Sequence, residues 1–311
     1  MIKDIKKCLE GKKYDFSMLY AWLRVIRIRF LLASVIAVST GLAISWWHTS
    51  QIDIWHAIMT LGGVIALHAS VDLLNDYWDY KRGIDTQTQR TKMSGGTGVL
   101  PEGLLQPRQV YRAGIAFLVI GTLIGSYFVI VDGIIIGILL TFAVLSIYFY
   151  STKIVDSGLA EIFVTVKGTV IVLGTYFIQT SELTLASILG GIFVGVLSSL
   201  VLFITSFPDY DADKSKGRKT LVIVLGKQKA TLIFWVFPIV AYLILFSGVI
   251  LEIFPIYSLI SLAAIPLIIK SGVILRQNFD KIQELVPAMA NTITFSRVTG
   301  ALFVIGFILT L

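Results

Sequence analysis

The chain has a single cysteine, Cys8, so no disulfide can close within it. Charge is scarce too. Asp, Glu, Lys and Arg make up 14% of the 311 residues against 56% hydrophobic residues, and the mean hydropathy is +0.85. A soluble globular chain is nearer a quarter charged, so this shortage excludes an ordinary water-soluble domain. A secretory leader is missing from the reading as well: the opening "MIKDIKKCLEGKKYDF" is basic and polar, with neither an apolar stretch nor a small-residue cleavage site. What the chain does have is a series of apolar runs of membrane-spanning length. Its net charge of +7 then reports topology and attraction to anionic lipid, and no nucleic acid is expected as a partner.

Nine spans are read, at roughly 28–48, 53–76, 108–131, 133–151, 158–180, 184–207, 229–250, 253–274 and 290–310. With the N-terminus in the cytoplasm, the outer loops centre on Asp53, Asp132, Glu182 and Glu252, and each lacks Lys and Arg. Basic residues collect in the inner segments 77–107, 152–157, 208–228 and 275–289. This is the positive-inside pattern, and it predicts a multi-pass protein of the cell membrane with its N-terminus cytoplasmic and its C-terminus extracytoplasmic. The fold class is all-α: nine transmembrane helices in one bundle (28–311) behind a basic cytosolic N-terminal segment (1–27). Two long inner loops, after spans two and six, cap the cytosolic side, and their spacing suggests a pseudo-repeat.

Both long loops begin with acids. Asn75, Asp76 and Asp79 end span two; Asp209, Asp211 and Asp213 follow span six in "FPDYDADKSKGRKTL". If each cluster continues its helix, Asn75 with Asp79 and Asp209 with Asp213 are i,i+4 pairs on one face. Carboxylates at a bilayer edge are costly without a cationic partner. Two facing oxygen-only sets suit a hard divalent cation such as Mg²⁺, which commonly uses one or two carboxylates together with substrate phosphates. No His or Cys accompanies them, which argues against zinc. Lys81 and Arg82 flank the first cluster; Lys214, Lys216, Arg218 and Lys219 flank the second. An ion-coupled transporter would carry such acids near mid-membrane on broken helices; the DGxxAR pattern of alcohol phosphotransferases is absent.

"NDYWDYKRGID" and "DYDADKSKGRKTL" resemble the two aspartate-rich motifs of the UbiA superfamily of intramembrane prenyltransferases. A third signature, "YFYSTKIVDSGLAEI", follows span four. Gly83 stands where the commonest first motif, NDxxDxxxD, has its last Asp, and Asp85 comes two residues later. The form NDYxDYxxGxDT followed by the glycine-rich "SGGTGVLPEGLL" is similar to the menaquinone-type branch, whose members prenylate 1,4-dihydroxy-2-naphthoate. The resemblance implies Mg²⁺-dependent transfer of a polyprenyl group from prenyl diphosphate to an aromatic acceptor, with benzoate or homogentisate types as alternative acceptors. It implies metal ligation by Asn75, Asp76, Asp79, Asp209 and Asp213. Diphosphate contacts fall to Arg27, Arg29, Lys81, Arg82, Lys153 and Lys219, and catalytic roles to Asp76, Asp79, Tyr150 and Lys153.

Several of these residues have plainer readings. Arg24, Arg27 and Arg29 in "RVIRIRF" could simply anchor span one at the interface, and a tyrosine such as Tyr150 at a span end is ordinary. Within span five, Lys167 pairs with Glu161 or lines a cavity. Asp72 reads as support for the first motif, His68 as a satisfied polar residue, and Arg297 as a snorkelling cation. The glycine-rich loop lacks the Walker lysine pattern and reads as a flexible cap over the site.

Overall fold

The computed structural model describes residues 18–91 and 93–310; most of the basic N-terminal segment, including Cys8, lies outside them. All regular elements among the described residues are helical. Leu32–Thr49 (α1) precedes eight helices long and apolar enough to cross a membrane. These are Ile54–Lys81 (α2), Pro107–Asp132 (α3), Ile134–Ile154 (α4), Ala160–Thr180 (α5), Leu185–Thr205 (α6), Lys227–Ile250 (α7), Ile256–Asn278 (α8) and Ile282–Ile308 (α9). α1 is the first of the nine expected spans. Its 18 residues reach about 27 Å at 1.5 Å per residue, and Trp46, Trp47 and His48 at its end suit the membrane interface.

Small residues set the closest helix contacts. On α6, Gly191 and Gly195 meet Thr169 and Thr165 of α5; a Cβ on Gly195 would stand 2.3 Å from the Thr165 carbonyl oxygen, so no larger residue fits. Thr165 and Ser199 hydroxyls then bond across the seam at 2.8 Å. α1 packs against α2, α5, α6 and α9. Beside it, Phe193, Phe254, Phe303 and Phe307 stack in the core, with successive ring centroids 4.5–5.9 Å apart. The outer surface is the reverse of a soluble protein's: Ile130 is 85% exposed and Ile250 78%. Such side chains belong in lipid.

Three boundaries differ from the sequence reading. α2 continues to Lys81, so the entire first acidic cluster is helical. α6 stops at Thr205 and does not carry the second cluster: Pro208 has no N–H to continue the ladder, and Asp209 instead precedes a separate short helix, Tyr210–Ser215. The inner loop read at 275–289 is shorter than its expected bounds. α8 runs to Asn278 and α9 starts at Ile282, taking Pro287 inside at the loss of one backbone hydrogen bond.

Candidate active site

A cavity of about 320 Å³ is lined by residues of α1, α2, α4, α5, α6 and α9, together with both long inner loops. The first cluster reaches it because α2 is unbroken. Asn75 and Asp79 sit one turn apart, with Asn75 Nδ2 donating to Asp79 Oδ2 at 3.0 Å. The amide is fixed from its other side by Ser151, whose hydroxyl donates to Asn75 Oδ1 at 2.9 Å. Ser151 stands in a π-helical turn, Tyr150–Ile154, that ends α4. The third sequence signature therefore acts on the first.

The second cluster keeps its one-turn spacing within the short helix, where the Asp213 amide donates to the Asp209 carbonyl at 2.9 Å. Asp209 and Asp213 both line the cavity. Gly217 turns the chain at φ +81°, and Arg218 folds back between the two clusters. Its Nη1 donates to Asp213 Oδ1 at 3.0 Å and its Nη2 to Asp79. One guanidinium thus joins acids 134 positions apart in sequence. Burial raises the carboxyls beyond the spans: Asp213 to about 6, against the pull of Arg218; Asp209 to about 7, helped by the charge of Asp213; and Asp85 to about 8, helped by Asp79 and Asp76.

The glycine-rich loop covers this mouth and is tied down, contrary to the expectation of a flexible cap. Fully buried Asp76 accepts from the Thr97 amide at 3.1 Å and from its hydroxyl at 2.8 Å, with Arg27 Nη2 at 3.5 Å. Glu102 takes both Nη atoms of Arg24, at 2.8 and 2.7 Å, and a further bond from Arg90. Gly96 lies at φ +70°, where a Cβ would sit 2.4 Å from Asp85 Oδ1. Backbone and carboxylate press together there.

The structure brings Arg27, Asn75, Asp79, Tyr150, Asp209 and Asp213 onto one cavity wall. It does not bring the other expected residues there. Asp76, expected as a further metal ligand, is fully buried under the loop, held by Thr97, and does not line the cavity. Arg82, expected at a phosphate, ties the Ser151 and Lys216 carbonyls and Asp156 together at 3.0–3.2 Å. Lys81 lies over the Tyr77 ring and Lys153 over the Phe149 ring. Arg29 and Lys219 are exposed away from the cavity. Glu161 accepts from the Leu221 amide, while Lys167 lines the cavity, so the proposed pairing of those two does not form. Arg218 and Asp85 stand at the mouth without having been assigned from the sequence, and Arg297, read as a snorkelling cation, lines the cavity as well.

The donor set fits a hard cation. Asn75, Asp79, Asp85, Asp209 and Asp213 offer only oxygen at this mouth or an amide, and two buried oxygens, Asp85 Oδ2 and Asp209 Oδ1, have no hydrogen-bond partner. Among the described residues no three His, Cys, Asp or Glu side chains converge on one point.

A sequence model of the UbiA prenyltransferase family matches residues 34–295. The chain is 28% identical to 1,4-dihydroxy-2-naphthoate octaprenyltransferase of Escherichia coli (strain K12), over 95% of this chain and 97% of that one. It is 26% identical to the protein of the same name from Bacillus subtilis (strain 168), over 71% and 70% of the two chains. The solved structure of a UbiA homolog from Archaeoglobus fulgidus bound to GPP and Mg²⁺ shares the fold, with a TM-score of 0.60 over 91% of this chain and 99% of that one, at 17% identity.

Proposed function

The chain belongs to the UbiA prenyltransferase family and is a multi-pass membrane prenyltransferase; from that premise we propose that it joins a polyprenyl group to a dihydroxynaphthoate-type acceptor, using Mg²⁺. One observation carries the reading: oxygen donors from two distant motifs, with the Arg27 and Arg218 guanidinium groups, share the mouth of a cavity whose other walls are mostly apolar helix faces. The names of the Escherichia coli and Bacillus subtilis relatives support the acceptor, and the GPP- and Mg²⁺-bound homolog supports the metal.

In this proposal Asn75, Asp79, Asp209 and Asp213 hold the metal, with Asp85 at their edge. Mg²⁺, when bound, neutralises charge that builds on the departing diphosphate. Arg27 and Arg218 donate to phosphate oxygens, a task for which the planar guanidinium is suited. The allylic C–O bond breaks and its electron pair leaves with diphosphate. A ring carbon of the acceptor supplies the pair for the new C–C bond, and the group that carbon carried departs without its bonding electrons. Tyr150 and the helix faces of α4, α5 and α6 keep water from the allylic carbon, which water would otherwise convert to an alcohol. Asp76 acts at one remove, by holding Thr97 and the loop in place.

The test is prenyl transfer by the purified protein, with products identified by mass spectrometry. Product from 1,4-dihydroxy-2-naphthoate and prenyl diphosphate should form with Mg²⁺ and vanish in EDTA. Undiminished turnover in EDTA would sink the metal reading. Product only from 4-hydroxybenzoate or homogentisate would move the acceptor.

A further inference from the structure

The cavity wall carries another group of ionisable side chains away from its mouth. Asp72 lies two turns of α2 beyond Asp79, roughly 10 Å along the helix axis, and Lys167 lines the same cavity from α5. His68 is one turn further along α2. Its Nδ1 is 2.6 Å from Ser34 Oγ of α1, and its Nε2 is 3.7 Å from Asp72 Oδ2, beyond hydrogen-bond reach.

Lys167 and Asp72 attract each other as opposite charges on the cavity wall, but no hydrogen bond or contact ion pair closes between them. The Lys167 ammonium makes neither a hydrogen bond nor an ion pair with any described residue, although it stands within a spanning helix, where an unpaired charge is costly. Asp72 Oδ2 is buried and accepts no hydrogen bond. A ligand that satisfies both must present an anion to the lysine and a donor to the aspartate. A bare anion would meet Lys167 and be repelled by Asp72. A neutral ring would leave both as they are. A hydroxylated aromatic acid supplies both groups on one rigid frame. Apolar side chains one turn away on the same helix faces, Val64 and Ile171, also line the cavity and can hold the ring.

We infer that Lys167 donates to the ionised carboxylate of the acceptor while a ring hydroxyl of the acceptor donates to Asp72 Oδ2. This rests on the prenyl-transfer reading above and adds the place of the second substrate. Neither part of the first substrate answers the same need. The diphosphate finds Arg27, Arg218 and the oxygen donors at the mouth, and the prenyl tail has no charge to offer a lysine.

Isothermal titration of the full chain in lipid nanodiscs tests the assignment with three probes: 1,4-dihydroxy-2-naphthoate, its methyl ester, and geranyl diphosphate with Mg²⁺. The wild-type protein should bind the acid at least about tenfold more tightly than the ester, roughly the worth of one charge-assisted bond. Lys167→Met should erase that preference and leave geranyl diphosphate affinity within about twofold; Lys167→Arg should keep the preference. A wild-type protein that binds acid and ester alike overturns the inference without any variant. So does a Lys167→Met protein that retains the preference, or one that loses geranyl diphosphate affinity while binding the acid normally. A wild-type protein that binds geranyl diphosphate but neither naphthoate compound overturns the acceptor reading itself, and the inference with it.

Discussion

Arg218 occupies the gap between Asp79 and Asp213, and that position gives it a double task. It balances two buried carboxylates, and in the proposed reaction it donates to the leaving diphosphate. Arg218→Met should therefore lower kcat by at least about 100-fold, about 2.7 kcal/mol of barrier. Lys153→Met should leave kcat within about threefold, because that ammonium lies over Phe149 and does not line the cavity. Steady-state prenyl transfer by the two variants checks both; a larger loss from Lys153 than from Arg218 would reverse the assignment. The acids themselves predict a pH dependence. Burial raises Asp213 to about 6 and Asp209 to about 7, above the ~3.9 of a free aspartate. Below those values each holds a proton that must leave before a cation can bind. Mg²⁺ affinity should rise from pH 5.5 through about 7 and level off beyond it. Titration calorimetry showing affinity flat or falling over that range would refute this. The acids were legible in the sequence because their type and one-turn spacing are local properties. Arg218 was not, because four cations flank Asp213 and the turn at Gly217 decides which of them folds inward.

At the scale of elements, the glycine-rich loop and the ends of α2 and α6 decide whether the mouth exists. The loop's backbone contacts the acids, so its glycines differ in what they tolerate. Gly96 and Gly103 both have φ near +70°, a region costing an L-residue about 1–2 kcal/mol. An added methyl would meet Asp85 Oδ1 at 2.4 Å at Gly96 and open space at Gly103. Gly96→Ala should reduce kcat/KM by at least about tenfold, whereas Gly103→Ala should leave it within about twofold. Thermal unfolding in detergent should show the larger destabilisation for Gly96→Ala, which adds the Asp85 clash to the backbone strain that both variants share. Equal activity for the two would mean that the Gly96–Asp85 contact has no bearing on turnover. Helix identity was legible throughout from apolar runs, and the spans matched their helices to a few residues through most of the chain. The ends were less so. Continuation of α2 to Lys81 depends on packing: Leu74 buries its side chain against α3 and α4, while Leu73, Asp76 and Asp79 bury theirs against loop residues that no local pattern reveals. The stop at α6 had a visible signal in Pro208. The loop's fixed conformation had none, because Thr97 and Asp76 lie 21 positions apart and only the fold brings them together.

The whole molecule poses a question that its helices alone do not answer, which is how many times the chain crosses the bilayer. Eight helices are long and apolar enough, and α1, at 18 residues, stands at the edge of sufficiency. Its packing argues for crossing. Ile36, Ala37, Ala43 and Ile44 of α1 belong to the same core cluster as Phe193 of α6 and Phe303 of α9. A helix lying flat on the surface would not reach spanning helices along so much of its length. Ser34, Thr40 and Ser45, its polar residues, are buried in the bundle and not turned to lipid. The charge pattern agrees: the turn between α1 and α2 holds Asp53 and no Lys or Arg, while both long loops are rich in cations. Nine crossings put the two ends of the chain on opposite faces, and the charge pattern predicts that the acidic mouth faces the cytoplasm. Eight crossings, with α1 on the surface, would put both ends on the same face. A phosphatase–fluorescent-protein reporter pair separates the two arrangements. Fused after Leu311, it should report the extracytoplasmic side; inserted between Lys216 and Gly217, or ahead of Met18, it should report the cytoplasm. Extracytoplasmic signals at both ends, with a cytoplasmic one at the 216–217 insertion, would remove α1 from the spans. An extracytoplasmic signal at the 216–217 insertion would invert the protein and place the acidic mouth on the outer face.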